Sequence, residues 1–306
     1  MLLAGLFALG AILLFLLAPR YHELRAKRLL RLGRDRQAAR HLDRALRLRL
    51  YKRGVPTLAA ARAQAILARI RFIQGLADRG EALLESARQT ALARVAEKPS
   101  RDLLATLLEV GRASIAAERY EDSVFLAERA GVIAAASLNV SDPLEGAIDA
   151  LFAEAYTGLG QFEQAHEHYQ HALESYRLSR GESSPEFGAV LASMAASLAR
   201  QERWREAREA GLEAIEILDG ADSTRLPEAL NALAELDTRR GKLAEAEGLR
   251  LSICHLWERL GGSDCAALAR EYELRAELLR SMQRMSEAGY LLCKAREIRQ
   301  TAVAGA

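Results

Sequence analysis

A chain of 306 residues that is half hydrophobic but only 6% aromatic, with 6 prolines, must build its core from Ala and Leu, which argues against a strand-rich β fold and for closely packed helices. The formal net charge of +2 hides a split, because residues 20–53 hold thirteen Lys or Arg against three acids, a local +10 that leaves −8 for the rest. Cys254, Cys265 and Cys293 form no CxxC pair, so neither a disulfide framework nor a cysteine zinc site is indicated, and they read as reduced packing residues of a cytosolic chain.

Residues 1–18, MLLAGLFALGAILLFLLA, carry no charged side chain. As a helix they reach about 27 Å, close to the roughly 30 Å of a bilayer's hydrocarbon core. No Lys or Arg precedes the run, and Leu16 would stand at −3 of a cleavage after Ala18, so a retained transmembrane anchor is favoured over a cleaved signal peptide. The basic flank follows the span, which puts Met1 outside and the body of the chain in the cytoplasm.

The flank itself is amphipathic. Arg36, Arg40, Arg44 and Arg47 fall on one edge of a helix, opposite Ala38, Leu42, Ala45 and Leu46. Such an edge sets topology and attracts anionic lipid head groups or an acidic partner. Nucleic acid is disfavoured, since no aromatic residues are interleaved for base stacking.

Beyond it the chain repeats. Ala38, Gly80, Ser123, Ala165, Ala207, Ala246 and Ala288 recur at steps of 39–43 residues. Twelve positions earlier stand Ala26, Ala68, Gly111, Ala153, Ala195, Ala234 and Ala276; seven later stand Ala45, Ala87, Ala130, Ala172, Ala214, Ile253 and Ala295. Only Ile253 is large. Small side chains at a shared register mark places where helix axes come close. Pro56, Pro99, Pro143, Pro185 and Pro227 keep the same beat and mark the start of the first helix of each unit, helix A. Gly33, Gly75, Gly160 and Gly241 mark the turn into the second, helix B. Seven helical hairpins are expected, the first shortened by the membrane segment.

This register, with Tyr156 and Tyr169 at their places in it and the wording LPEALNALAELDTRRGKLAEAE, resembles the tetratricopeptide repeat, and the 42-residue beat resembles its kinesin-light-chain variety. The resemblance implies an all-α, right-handed superhelix of about seven hairpins, which would follow the one transmembrane helix read from residues 1–18. The two readings together divide the chain into an anchor (1–19), a basic degenerate unit (20–55), the array (56–300) and a tail (301–306). The resemblance also implies a groove lined by A helices that binds peptides or partner proteins, at which Asn231 would bond a peptide backbone. Units four and five carry Ala150 and Ala192 at the matching position, which interrupts an asparagine ladder. Arg112, Arg200, Glu235, Arg239, Glu273, Glu277 and Arg280 are expected nearby, a lining of mixed sign.

The one histidine cluster is HEHYQH, residues 166–171. His166 and His171 are five apart and diverge on a helix, unlike HExxH, whereas His168 and His171 share a face near Glu167. The cluster reads as a solvated convex face, with no metal assigned. GxxxxGK[ST], GxGxxG and GxSxG are missing from the sequence, so no catalytic residue and no cofactor are assigned, and a non-enzymatic protein is expected. The last helix carries Ala288, Leu291, Leu292, Ala295 and Ile298 on one side, a face expected to need a partner, a second copy or the tail as cover. The functional expectation is a membrane-anchored scaffold that assembles partner proteins on the cytoplasmic face of a bacterial inner membrane. An exported periplasmic binding module and a mitochondrial outer-membrane receptor are the alternatives.

Overall fold

The computed structural model describes residues 18–30, 32, 34–53, 57–96, 99–137, 142–219, 225–260 and 266–304. Among these residues there are fourteen helices and no strand. They pair as hairpins in chain order: α1 (18–30) with α2 (Asp35–Arg53), α3 (Leu58–Ile73) with α4 (Ala77–Leu92), and α5 (Arg101–Ala116) with α6 (Tyr120–Ser137). They continue as α7 (Pro143–Leu159) with α8 (Phe162–Arg180), α9 (Pro185–Arg200) with α10 (Trp204–Asp219), α11 (Leu226–Arg239) with α12 (Leu243–Leu260), and α13 (Ala266–Ser281) with α14 (Met285–Ala304). Helix α14 takes in 301–304, which the sequence pattern assigned to the tail. No described helix is long and apolar enough to cross a membrane; the expected anchor lies almost wholly in residues 1–17, outside the described residues, as do Gly33, Pro56 and Cys265.

Local signals set the helix ends. Pro143 and Pro185 open α7 and α9, and Pro227 is the second residue of α11, where a missing N–H costs nothing because the first turn has no intrahelical acceptor. Just ahead of the helices, Asp142 and Ser184 accept from the amides of Leu144 and Phe187, and Thr57 and Ser100 do the same for α3 and α5. Left-handed backbone closes each A–B turn from Gly75 onward: Gly75, Gly160 and Gly241 have φ of 76°, 75° and 73°, while Glu118, Glu202 and Gln283 take φ of 59°, 61° and 63° at the equivalent turns. The sequence reading saw only the glycine turns.

All twenty-one residues of the three small columns are buried, Ile253 included at 1% exposure. A Cβ added to Gly111 would sit 2.5 Å from Leu151 Cδ2, and one added to Gly80 would sit 2.8 Å from Phe72. These crossings are closed to larger side chains. The apolar core is accordingly a strip: one cluster joins α1, α2 and α3, a long one runs from α3 to α11, and another joins α12, α13 and α14. Each hairpin is stabilised by its neighbours, as in a one-dimensional stack.

The expectation for the last helix is overturned. Ala288, Leu291, Ala295 and Ile298 are buried at 0–9% exposure and Leu292 is partly buried, all packed with α12 and α13 residues. That face is the inside of the final hairpin. The outward face of α14 instead shows Met285, Tyr290 and Cys293, with the Lys294 ammonium 4.9 Å from the Tyr290 ring centroid. Cys254 fits the packing role: it is buried, and burial pushes its thiol up to about 12. The exposed Cys293 does not.

Replacing Ala153, which is fully buried between helices, with Leu is expected to destabilise the chain by about 2–3 kcal/mol through overpacking. Hydrogen exchange should rise first in α5–α8, the hairpins that share the crossing, and an unchanged protection pattern there would contradict the packing argument.

Candidate functional site

The residue that follows the small position in each A helix forms a column of its own: Lys27, Arg69, Arg112, Glu154, Ala196, Glu235 and Glu277. It runs from basic to acidic along the array. In the middle of the array the column is tied repeat to repeat. Arg69 of α3 donates to Glu109 Oε2 at 3.2 Å, Arg112 of α5 donates to Glu109 Oε1 at 3.0 Å, and Ser193 of α9 donates to Glu154 Oε1 at 3.3 Å. Burial opposes the charge on Glu109, but Arg112 and Arg69 outweigh it and hold the carboxyl below the usual range. Burial likewise opposes the charge on Arg112, and Glu109 and Glu154 outweigh it, so the guanidinium is held above its ordinary value.

Beside Arg112 and Glu154 the A helices leave an open cavity of about 260 Å³. Its apolar floor is Leu144, Ala147, Ala150, Leu151, Ala189 and Val190; its polar rim is Arg112, Glu154, Tyr176, Arg180, Glu186 and Arg225. Small-molecule sites typically span roughly 300–1,000 Å³, so this space suits one or two side chains of a bound polypeptide better than a cofactor. A second hollow of about 270 Å³ lies between α1 and α3, lined by Leu24, Leu30 and Ile66 and by Arg20, Glu23, Lys27 and Arg62.

The residues expected in the groove are dispersed. Arg112 alone lines the central cavity. Arg200 of α9 turns back to donate to the Thr157 carbonyl at 3.0 Å, and Glu235 and Arg239 pair with each other along α11 at 2.9 Å. Asn231 Oδ1 accepts from Arg250 of α12 at 3.2 Å, and the same arginine makes a buried 2.8 Å ion pair with Glu271 of α13. Asn231 therefore belongs to a structural network. Glu273 pairs in two-pronged fashion with Arg299 of α14 at 2.6 and 2.7 Å, while Glu277 and Arg280 are exposed. The sequence reading missed Glu109, Glu154, Arg180, Glu186 and Arg225. The charge column was a signal that could have found Glu154.

On α2, Arg40, Arg44 and Arg47 are exposed and Arg36 is partly buried, while Ala38, Leu42, Ala45 and Leu46 are buried. His22 and His41 meet Nδ1 to Nδ1 at 2.8 Å, a contact that requires one donating and one accepting ring. Burial, then nearby cations, push both imidazoles below the ordinary histidine value. In the HEHYQH stretch, Glu167 is exposed, and it is Asp149 of α7 that meets His168, Oδ1 to Nδ1 at 2.8 Å.

Residues 146–220, the core of α7–α10, match the tetratricopeptide repeat family model. Among solved structures, similarity covers nearly the whole chain. The Rap conjugation gene regulator of plasmid pLS20, in complex with the Phr* peptide, aligns with a TM-score of 0.57 at 14% identity over 95% of this chain and 74% of that one. The fold is a tetratricopeptide-like superhelical repeat. NprR in complex with its cognate peptide NprX aligns with a TM-score of 0.55 at 14% identity, over 93% of this chain and 81% of that one. BtubC (BKLC) from P. vanneervenii aligns with a TM-score of 0.52 at 17% identity, over 81% and 92%. At these identities the likeness concerns the tetratricopeptide-like architecture alone. No curated protein matches the sequence significantly.

The Glu109 bridge between repeats has a defined pH signature. Its folded pKa is depressed, so its contribution is complete above the unfolded value and is lost as the pH falls from the usual carboxylate range through the lower folded one. Glu109→Gln is expected to cost about 1–2 kcal/mol at neutral pH, less than a fully buried pair because the side chain is 21% exposed. Urea midpoints of the variant and wild type should converge at acid pH; a constant gap would contradict the assignment.

Proposed function

We propose that the chain is a non-catalytic interaction scaffold whose tetratricopeptide-like array takes up an extended segment of a partner protein or a peptide along its A-helix face. The observation that carries this reading is the mixed-charge cavity across α5, α7 and α9, apolar at its floor and rimmed by Arg112, Glu154, Arg180, Glu186 and Arg225. Apolar floor plus opposed charges suits a polypeptide that offers one apolar anchor flanked by charges of both signs. The Rap regulator and NprR, of like fold, were each solved with a peptide. The 42-residue period supports reading the repeats as the kinesin-light-chain variety.

The apolar run of residues 1–18 and the +10 flank behind it support a membrane tether with the array on the cytoplasmic side of a bacterial inner membrane. The exposed arginine edge of α2 would then lie against anionic head groups.

Capture of partners by the detergent-extracted full chain tests both parts. Arg180→Glu and Arg225→Glu, both on the cavity rim, are expected to weaken capture roughly tenfold or more. Arg205→Glu, exposed on α10, should leave it unchanged. Equal capture by all three variants would remove the cavity from the binding surface. Fractionation giving a soluble mature chain that lacks residues 1–18 would end the tether reading.

A further inference from the structure

The HEHYQH stretch is not absorbed by partner binding, and the fold supplies it with a ligand from another helix. Asp149 on α7 and His168 and His171 on α8 bring one ligand atom each to within 4.8 Å of one another. We propose that these three side chains bind a divalent transition-metal ion of the zinc class, with solvent or a partner's side chain completing the coordination.

The spacing along α8 makes this possible. His168 and His171 are three residues apart, so both project from one face of the helix, and α7, the other half of the same hairpin, delivers Asp149 opposite them. His166 is excluded by the same geometry: it projects elsewhere on α8, where its Nε2 meets Gln170 at 3.1 Å.

The central ligand is already held in place. The His168 ring lies flat against Phe152, with centroids 4.7 Å apart and planes 17° apart, and against Tyr156 at 5.6 Å and 21°. Two aromatic side chains of α7 therefore fix the ring that Asp149 meets at 2.8 Å, and a ligand with a fixed ring loses little freedom when it binds. An ion with bonds of about 2.0–2.1 Å in tetrahedral geometry holds its ligand atoms about 3.3 Å apart. The Asp149–His168 pair needs only to open slightly to reach that spacing. His171, exposed and edge-on to His168 with centroids 6.2 Å apart, needs to swing inward, which a solvent-facing side chain does by changing rotamer.

The donor set decides the class of ion. Two imidazole nitrogens with one carboxylate oxygen suit Zn²⁺, Co²⁺ or Ni²⁺. Ca²⁺ and Mg²⁺ require shells of oxygen, which this cluster does not provide. Because His171 faces solvent, the remaining coordination position is open rather than closed by protein. The ion would pin α7 to α8 within one hairpin, on the same α7 helix whose Leu144, Ala147, Leu151 and Glu154 line the central cavity.

The test uses the full chain in detergent, free of any histidine tag and stripped with chelator, dialysed against Zn²⁺ or Co²⁺ and analysed for metal per chain. One ion per chain is expected, with a rise in melting temperature and no competition from excess Mg²⁺ or Ca²⁺. Asp149→Asn, His168→Gln and His171→Ala should each weaken binding by at least roughly tenfold, whereas His166→Ala should not. His171 is exposed, so its replacement should leave the circular dichroism spectrum unchanged, separating loss of metal from loss of fold. Binding of less than one ion per chain overturns the assignment. So does wild-type affinity in any of the three ligand variants, or equal loss in His166→Ala.

Discussion

Two helices can cross at the short end of the roughly 8–10 Å packing range only where neither brings a large side chain to the crossing point. In this chain the crossings fall on Ala, Gly or Ser in twenty of twenty-one column positions, all buried. The constraint is steric and leaves little slack: a Cβ on Gly158 would come within 2.3 Å of the Tyr120 ring, and one on Gly211 within 2.6 Å of Leu233. Since a hairpin in a stack meets only its neighbours, the same interface is reused at every step, and reuse of an interface is what imposes a fixed period on the sequence. The low aromatic content follows from the same requirement, because a core of closely approaching helices has few places for a ring. Where rings do occur, glycines on the facing helix make room for them: a Cβ on Gly146 would sit 3.1 Å from the ring of Tyr176, which is buried at 6% exposure.

The stack determines what its inner polar residues are free to do. With the apolar columns committed to packing, charged residues on successive A helices come within reach of each other, and several are used to join repeats. Arg69, Glu109 and Arg112 form one such link across α3 and α5; Arg200, bonded to the Thr157 carbonyl, forms another across α7 and α9, where Thr157 Oγ1 also donates to Ser197 at 3.1 Å. The central cavity lies beside these links: Arg112 is paired with Glu109 and Glu154 with Ser193, and with Arg180, Glu186 and Arg225 they surround apolar surface. The two rim residues held by those bonds are pre-organised, which lowers the ordering cost of taking up an extended ligand.

How far the sequence could be read follows from which physical property each feature depends on. The repeat was legible because side-chain volume is a property of each residue, and three columns of small volume at one register have no competing explanation. Helix starts were legible from proline for similar reasons. Three of the turns were not: Glu118, Glu202 and Gln283 occupy left-handed backbone that glycine alone announces. The bond that Asn231 Oδ1 accepts was out of reach because its donor, Arg250, is nineteen residues away on α12, and the arginine is held in turn by Glu271 on the next hairpin. A register argument sees the position and not the neighbour that occupies its oxygen. The final helix was misread for a related reason: an apolar stripe has two possible partners, the helix before it and whatever lies outside, and the pattern does not say which. The pairing of Asp149 with His168 and His171 was equally out of reach, since it depends on how α7 crosses α8.

The ends of the stack differ in how they are secured, and the difference bears on the groove between them. At the C-terminal end Arg299 grips Glu273 through two bonds. Its remaining nitrogen reaches to 3.5 Å from the Ile73 carbonyl, 226 positions earlier in the chain, beside the Gly75 turn of α3–α4. The superhelix therefore curves far enough for its last helix to meet its second hairpin. The link is modest in energy: a single hydrogen bond at 3.5 Å contributes no more than about 1 kcal/mol. Its importance is geometric. The contact marks where the coil brings its last helix back towards its second hairpin, and the curvature of the stack sets how far apart the A helices hold the charges along their shared face.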